Sequence, residues 1–290
     1  MDNQLKLDKK TQAVFTRKGY KIEKQLGHGN YGYVYRAIDT TTGEKVAVKV
    51  TDMEKVNKVY ADKFLTREMA TMIKANHDNI IKVFDIIKAN KKIFIFMEFA
   101  GNGDLMQYMK KYGKIGQTKA CYWFNQVANG LTYLHEELYI AHRDIKLDNI
   151  LLNSEMSAKI SDFGFARKAY DPTTGEVMKA ETICGTRMYF CPQLFRKQPY
   201  DPYKADVWAM GVVLFSMIND KLPFHVDNDS KTISEMKDKN YLETRYTIDG
   251  CEHLKQLIRS MFEFEETDRC DIKTVLDNKW ITEKAKCCEN

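Results

Sequence analysis

Residues 139–152 read YIAHRDIKLDNILL, and residues 161–167 read SDFGFAR. In the first stretch His142, Arg143, Asp144, Lys146, Asp148 and Asn149 lie compressed between apolar YIA and ILL. Polar side chains held between apolar segments are costly unless they converge on a task. Asp144 can accept or orient the proton of an attacking hydroxyl. Lys146 can steady the charge of a migrating phosphoryl group. Asn149 is a hard oxygen ligand suited to Mg2+. Thirteen residues beyond Asn149, Asp162 supplies a second metal-binding oxygen group, and Gly164 permits an unusual backbone turn. Taken singly, either stretch reads equally as a polar turn between hairpin strands.

Two upstream features change that balance. LGHGNYGYV at 26–34 places Gly27, Gly29 and Gly32 in G-x-G-x-x-G spacing before Val34. A tight hairpin also demands glycines, and alone the motif is weak. A dinucleotide fold would need it to open a helix, whereas YVYRAI alternates like a strand. The context fits a hairpin over nucleotide phosphates, and no GKS or GKT follows to suggest a P-loop. VAVKV at 46–50 then puts Ala47 and Lys49 on one strand face and Val46, Val48 and Val50 on the other. The small Ala47 leaves room for a flat base. Glu68, in TREMATM, can pair with Lys49 and aim its ammonium at phosphate oxygens; Glu68 and Met72 share a helix face.

Strand-like runs at 20–26, 31–39, 45–50, 80–87 and 92–99, with a helix over roughly 60–75, predict a five-stranded antiparallel sheet with one major helix. Asp104 is placed to cap a helix that follows two glycines. Residues 119–137 form a long amphipathic pattern, short strands fall at 150–152 and 158–160, and helical patterns dominate after 203. Residues 1–19 read as a polar, basic extension or an edge element. The fold class is α+β, with a β-rich lobe over 20–98, a mainly helical lobe over 102–281, and a short tail at 282–290.

Composition excludes several classes. The 290 residues are 44% hydrophobic and 29% charged, with only 15 Gly and 5 Pro, which argues against collagen, mucin or a disordered chain. A net charge of +5 is too mild to imply a nucleic-acid partner. Seven scattered cysteines suggest reduced thiols in an intracellular protein, and no apolar run is long enough for a membrane span.

In order and spacing these motifs resemble the eukaryotic protein kinase family from about Tyr20 to Ile281, the glycine loop, Lys49, Glu68, HRD with Asp144, Asn149 and DFG from Asp162 being the specific matches. The serine/threonine type is implied by Lys146 and by Thr186 in CGTRMYF. Within it, the chain resembles the calcium/calmodulin-dependent group and, most closely, the testis-specific serine/threonine kinases. The resemblance implies a two-lobed catalytic fold, ATP and Mg2+ as cofactors, and protein substrates. It makes Asp144 the base, Asn149 and Asp162 the Mg2+ ligands, and Lys49 the contact to the α- and β-phosphates. Met97 becomes the residue behind the adenine, Glu98 and Ala100 its backbone partners, and Val34, Ala47 and Leu151 the sides of its pocket. Met72, Val83, His142 and Phe163 become a stacked apolar column. Asp206 is expected to brace the catalytic loop, and Trp208 to pack in the core.

The resemblance also carries finer expectations. Phe165 after DFG implies serine over threonine. Asp104 and Asp148 stand where relatives hold an arginine upstream of the acceptor, although one can equally be a helix cap and the other a solvated charge. Thr182 is the expected activation-loop phosphosite, paired when phosphorylated with Arg143 and Arg167, which implies an upstream or self-acting kinase. Cys191-Pro192-Gln193 departs from the family's Ala-Pro-Glu, so Arg269 loses its usual carboxylate and a weaker anchor is expected around 185–200. Only ten residues follow Trp280, so no autoinhibitory calmodulin-binding helix is expected there. Late sperm development, with a cytoplasmic, flagellar or nuclear location, is the implied setting. The rival reading is a scaffold that binds nucleotide without catalysis; it predicts loss of Lys49, Asp144, Asn149 or Asp162, and all are present.

Overall fold

Period-two apolar alternation builds the first half of the chain. The computed structural model describes residues 8–29, 32–55, 72–246 and 251–284. Five strands, β1 (Tyr20–Gly29), β2 (Gly32–Asp39), β3 (Lys45–Asp52), β4 (Val83–Ala89) and β5 (Lys92–Glu98), form one antiparallel sheet in the order β1-β2-β3-β5-β4. Val46, Val48 and Val50 enter the core with Phe94 and Phe96, so Ala47 and Lys49 lie on the opposite face of β3, as alternation requires. Of the helix expected over 60–75, only residues 72–75 fall among those described, and of these 72–74 are helical.

The N-terminal stretch departs from expectation. Lys9–Arg17 is a helix, α1, rather than a polar extension or an edge strand. Asp8 caps it by accepting from the Thr11 N–H at 2.8 Å. Only Thr11, Val14 and Phe15 are buried along it, too few apolar positions to stand out in a basic stretch. The sheet supplies the rest of the signal: Phe15 packs against Tyr35, Phe94 and Phe96 with ring centroids 5.7–6.4 Å apart.

The chain divides into two compact units, Met1–His77 with Ile81–Gly101, and Asp78–Ile80 with Asn102–Asn290. The second is mainly helical. Its helices are α2 (Leu105–Tyr112), α3 (Gln117–Thr132, continued by a π-helical turn over Tyr133–Glu137), α4 (Pro192–Phe195), α5 (Pro202–Asn219), α6 (Asp229–Lys237), α7 (Glu252–Met261), α8 (Ile272–Leu276) and α9 (Lys279–Thr282). One helix was expected from Ile272 to Trp280. Asn278 divides it by turning out of the helix and accepting from the Trp280 N–H at 2.9 Å. Helix α5 is buried nearly all round, which explains its continuous apolar run, VWAMGVVLFSMI. A hairpin joins Ile150–Leu152 to Ala158–Ile160, and a second, over Tyr170–Asp171 and Glu176–Val177, shapes a stretch read from sequence as a loop.

Candidate active site

The polar stretch at 142–149 is held by one buried carboxylate. Asp206, at the start of α5, accepts from the main-chain N–H groups of His142 and Arg143, both at 2.7 Å. His135 Nε2 lies 2.9 Å from the same carboxylate. This scaffold accommodates Arg143 at φ +64°, a left-handed conformation unfavourable for a residue with a Cβ and offset by the surrounding bonds. The Leu147 N–H donates to the Tyr189 hydroxyl at 3.3 Å, pinning the other end of the loop.

Three side chains then meet. Lys146 Nζ donates to Asp144 Oδ2 and to Thr186 Oγ1, each at 2.7 Å, and the Thr186 hydroxyl donates to Asp144 Oδ1 at 2.9 Å. Asn149 Nδ2 donates to the Asp144 main-chain oxygen at 2.8 Å and to Oδ2 at 3.0 Å. The amide of Asn149 is thereby oriented, with its carbonyl oxygen as the end suited to a cation. Asp144 is buried and its orientation is fixed from both oxygens. Gly185 makes the approach of Thr186 feasible: its φ is +95°, and a Cβ there would stand 2.6 Å from the Arg143 oxygen. Sequence reasoning assigned no role to Gly185, Tyr189 or His135. The first was legible as a glycine adjoining Thr186; the other two carry no local pattern.

Asp162 is exposed, sits at φ +59°, and accepts weakly from the Gly164 N–H at 3.4 Å. Phe163 is buried and meets His142 edge-on at 5.2 Å between centroids, two members of the expected apolar column. Leu151 is half-buried and bridges to Asp104. Asp104 accepts from the Gln107 N–H at 2.8 Å as the cap of α2, and burial, with a contribution from the nearby charge of Asp148, pushes its carboxyl up. Cap and charge cluster thus coexist at one residue. Thr182 is exposed; its main-chain oxygen accepts from Tyr200, whose phenol also contacts Arg143.

In the first unit, Val34 pairs with Lys49, Ala47 with Met97, and Met97 with Val83 across the sheet. The Glu98 N–H donates to the Lys82 oxygen at 2.9 Å. Ala100 is half-buried just beyond β5. Gly29 ends β1 opposite Gly32. A Cβ at Gly32 would stand 1.8 Å from the Val50 oxygen, so the strand approach there requires glycine. At Gly27 nothing lies within 4 Å of that position, leaving the backbone open on that side. Glu68 lies outside the described residues.

The departure at Gln193 is now concrete. Gln193 Oε1 accepts from Arg269 Nη2 at 3.1 Å, and Nε2 donates to the Phe264 oxygen at 2.9 Å. Arg269 is 1% exposed and also donates to the Glu263, Lys204 and Phe264 oxygens. Its guanidinium lies 4.9 Å from the Trp208 ring centroid. Burial lowers its pKa. Glu266 accepts from the Asp201 N–H at 2.8 Å and pairs with Lys179, and its negative charge also acts on Arg269, opposing the effect of burial. Cys191 is buried, and its thiol is pushed up by that burial, in keeping with quiet packing.

A strand-borne lysine behind a glycine hairpin, and a braced loop with aspartate, lysine and asparagine beside a DFG turn, define a class. The chain belongs to the protein kinase family: residues 20–281 match the protein kinase domain. It is a protein serine/threonine kinase, similar to human testis-specific serine/threonine-protein kinase 4, at 34% identity over 91% of this chain and 82% of the relative. It is similar also to mouse testis-specific serine/threonine-protein kinase 1, at 31% identity over 94% of this chain and 75% of the relative. Kinases of this family use ATP with a divalent cation and act on proteins. The residues present fit that pair of cofactors: an open glycine backbone at Gly27, and the hard oxygens of Asn149 and Asp162. Among the described residues no helix is long and apolar enough to cross a membrane.

Proposed function

We propose that this chain transfers phosphate from Mg-ATP to protein hydroxyls, serine in preference to threonine, during spermatogenesis. The observation that carries the reading is the Asp144–Lys146–Thr186 triangle, with every edge at 2.7–2.9 Å. Asp144 orients the acceptor hydroxyl and takes its proton at a carboxylate oxygen. Lys146 offsets the negative charge developing beside that hydroxyl. Thr186 fixes both partners. A bound Mg2+ would supply neutralisation of phosphate charge. Asn149 and Asp162 are the residues that would hold it. Lys49, paired with Glu68, binds the α- and β-phosphates beneath the backbone of Gly27, Gly29 and Gly32. Met97, Glu98, Ala100, Val34, Ala47 and Leu151 receive the base. The domain spans 20–281, with lobes 20–98 and 102–281.

Phe165 supports the serine preference. The charge interaction between Asp104 and Asp148 supports recognition of an arginine upstream of the acceptor. Thr182 is the regulatory phosphosite, and its phosphate orders the activation segment through Arg143 and Arg167. The completeness of the catalytic set favours an enzyme over a nucleotide-binding scaffold. The proposed setting is cytoplasmic, flagellar or nuclear; the relatives' names support only its testis context.

The deciding experiment incubates the purified chain with Mg-ATP and a degenerate serine/threonine peptide array beside Asp144→Asn. The variant is expected to lose activity by about 10²–10⁴-fold. Equal signal from both proteins would return the scaffold reading. Thr182→Ala is expected to lower kcat and to loosen residues 179–186 towards proteolysis; unchanged activity and unchanged cleavage would exclude the regulatory role.

A further inference from the structure

Helix α1 lies outside residues 20–281, the span that matches the protein kinase domain, yet it is not an appendage. Val14 and Phe15 are 5% and 1% exposed and share one core cluster with Val46, Val48, Val50, Phe94 and Phe96. The register makes this specific to Lys49. Val48 and Val50 flank Lys49 on β3, and their cross-strand partners on β5 are Phe96 and Phe94. Phe15 meets both of those rings, at 5.7 and 5.9 Å between centroids. The valines on the face of β3 opposite Lys49 therefore share one packed cluster with Val14 and Phe15 of α1, joined through the Phe94 and Phe96 rings.

The helix is also tied at both ends. Lys92, the first residue of β5, pairs with Asp8 at 2.6 Å and donates to Thr11 Oγ1 at 3.0 Å. Lys18, just past α1, pairs with Asp85 of β4 at 2.8 Å. These are ties to the strands on the far side of β3 from the glycine hairpin.

We propose that α1, acting through Phe15, is a positioning element for Lys49, so that docking of this helix and binding of ATP are coupled. The packed face has no slack: a core of aromatic rings and valines transmits a lost ring as a shift of the strand above it. Lys49 must hold its ammonium to a fraction of an ångström against phosphate oxygens, so a small displacement of β3 is read as nucleotide affinity. Coupling of this kind is reciprocal: what α1 does for ATP, ATP does for α1.

The inference rests on Lys49 as the phosphate contact, and that reading has its own control. Lys49→Met is expected to abolish phosphoryl transfer, and an active Lys49→Met would sink the Lys49 reading itself. For α1, Phe15→Leu is expected to raise KM for ATP by about 5–10-fold while KM for a peptide stays within about twofold. A purely structural role predicts a lower melting temperature with both KM values unchanged below the transition. With Lys49→Met inactive, that second result overturns the coupling alone. Should Phe15→Leu not fold, the unaltered chain decides. Amide exchange over residues 11–17 is expected to slow when Mg2+ and a non-hydrolysable ATP analogue saturate it. Exchange there that is indifferent to the analogue overturns the proposal.

Discussion

Arg269 concentrates the residue-scale problem of this protein. Its guanidinium is held by main-chain oxygens, the Gln193 amide oxygen and the Trp208 ring, without an ionised carboxylate among these contacts. Oxygen dipoles satisfy its hydrogens but not its charge, and burial lowers its pKa accordingly. A glutamate at 193 would place a negative charge where Oε1 now accepts. It would also lose the donor that Gln193 gives to Phe264, a cost of about 1 kcal/mol. The charge gained beside a buried guanidinium exceeds that cost. Gln193→Glu is expected to raise stability by about 1–2 kcal/mol, a rise in Tm of about 2–6 °C. Calorimetry that finds no rise would mean the carbonyl cage already compensates the charge. Activity should change little, because Gln193 touches none of Asp144, Lys146, Asn149 or Asp162.

At the scale of elements, helix α2 is where the proposed arginine preference can be tested. Its capping carboxylate, Asp104, spends one oxygen on the Gln107 N–H and is half-buried near Asp148. Burial and the neighbouring charge both disfavour ionisation, so Asp104 takes up its proton at a higher pH than an ordinary aspartate. The sign follows directly. As pH falls, Asp104 neutralises early and an arginine-selective site weakens with it. The preference for a peptide with an upstream arginine over its alanine counterpart, measured as a ratio of KM values, is expected to shrink as pH falls, and to do so at a higher pH than an ordinary aspartate would dictate. Asp104→Asn should give a low ratio that no longer varies with pH. A ratio flat with pH in the unaltered chain would assign Asp104 to helix capping only. The activation segment shows the same economy: Ala180 and Tyr200 exchange paired backbone hydrogen bonds at 2.8 and 2.9 Å, which sets the register of the residues leading to Gly185 and Thr186.

Over the whole molecule, the two units divide the labour. The first carries the glycine hairpin and Lys49; the second carries Asp144, Lys146, Asn149 and Asp162. A ligand that binds the native chain and not the unfolded one stabilises it by mass action. Mg-ATP at about 100 times its Kd is expected to add about 2.7 kcal/mol, or about 4–8 °C in Tm. Chelation of the metal should remove most of that gain if Asn149 and Asp162 bind the cation, and a shift unaltered by chelation would exclude them as ligands.

The sequence by itself determined the class of protein. Short-range rules suffice for that: alternation sets the faces of β3, a cap places α2, and polar residues between apolar strands mark residues 142–149. The hairpin of Ile150–Leu152 and Ala158–Ile160 fell where the apolar runs predicted short strands. What the tertiary structure alone decided are contacts between residues remote in the chain. Phe15 belongs to the core only because Phe94 and Phe96 lie beneath it; within its own basic stretch it is one apolar residue among charges. His135 reaches Asp206 across 71 positions, and Glu266 is drawn to Lys179 and to the Asp201 N–H. Such pairings leave no periodicity, because the free energy that selects them is released only when the elements pack, and no window along the chain contains both partners.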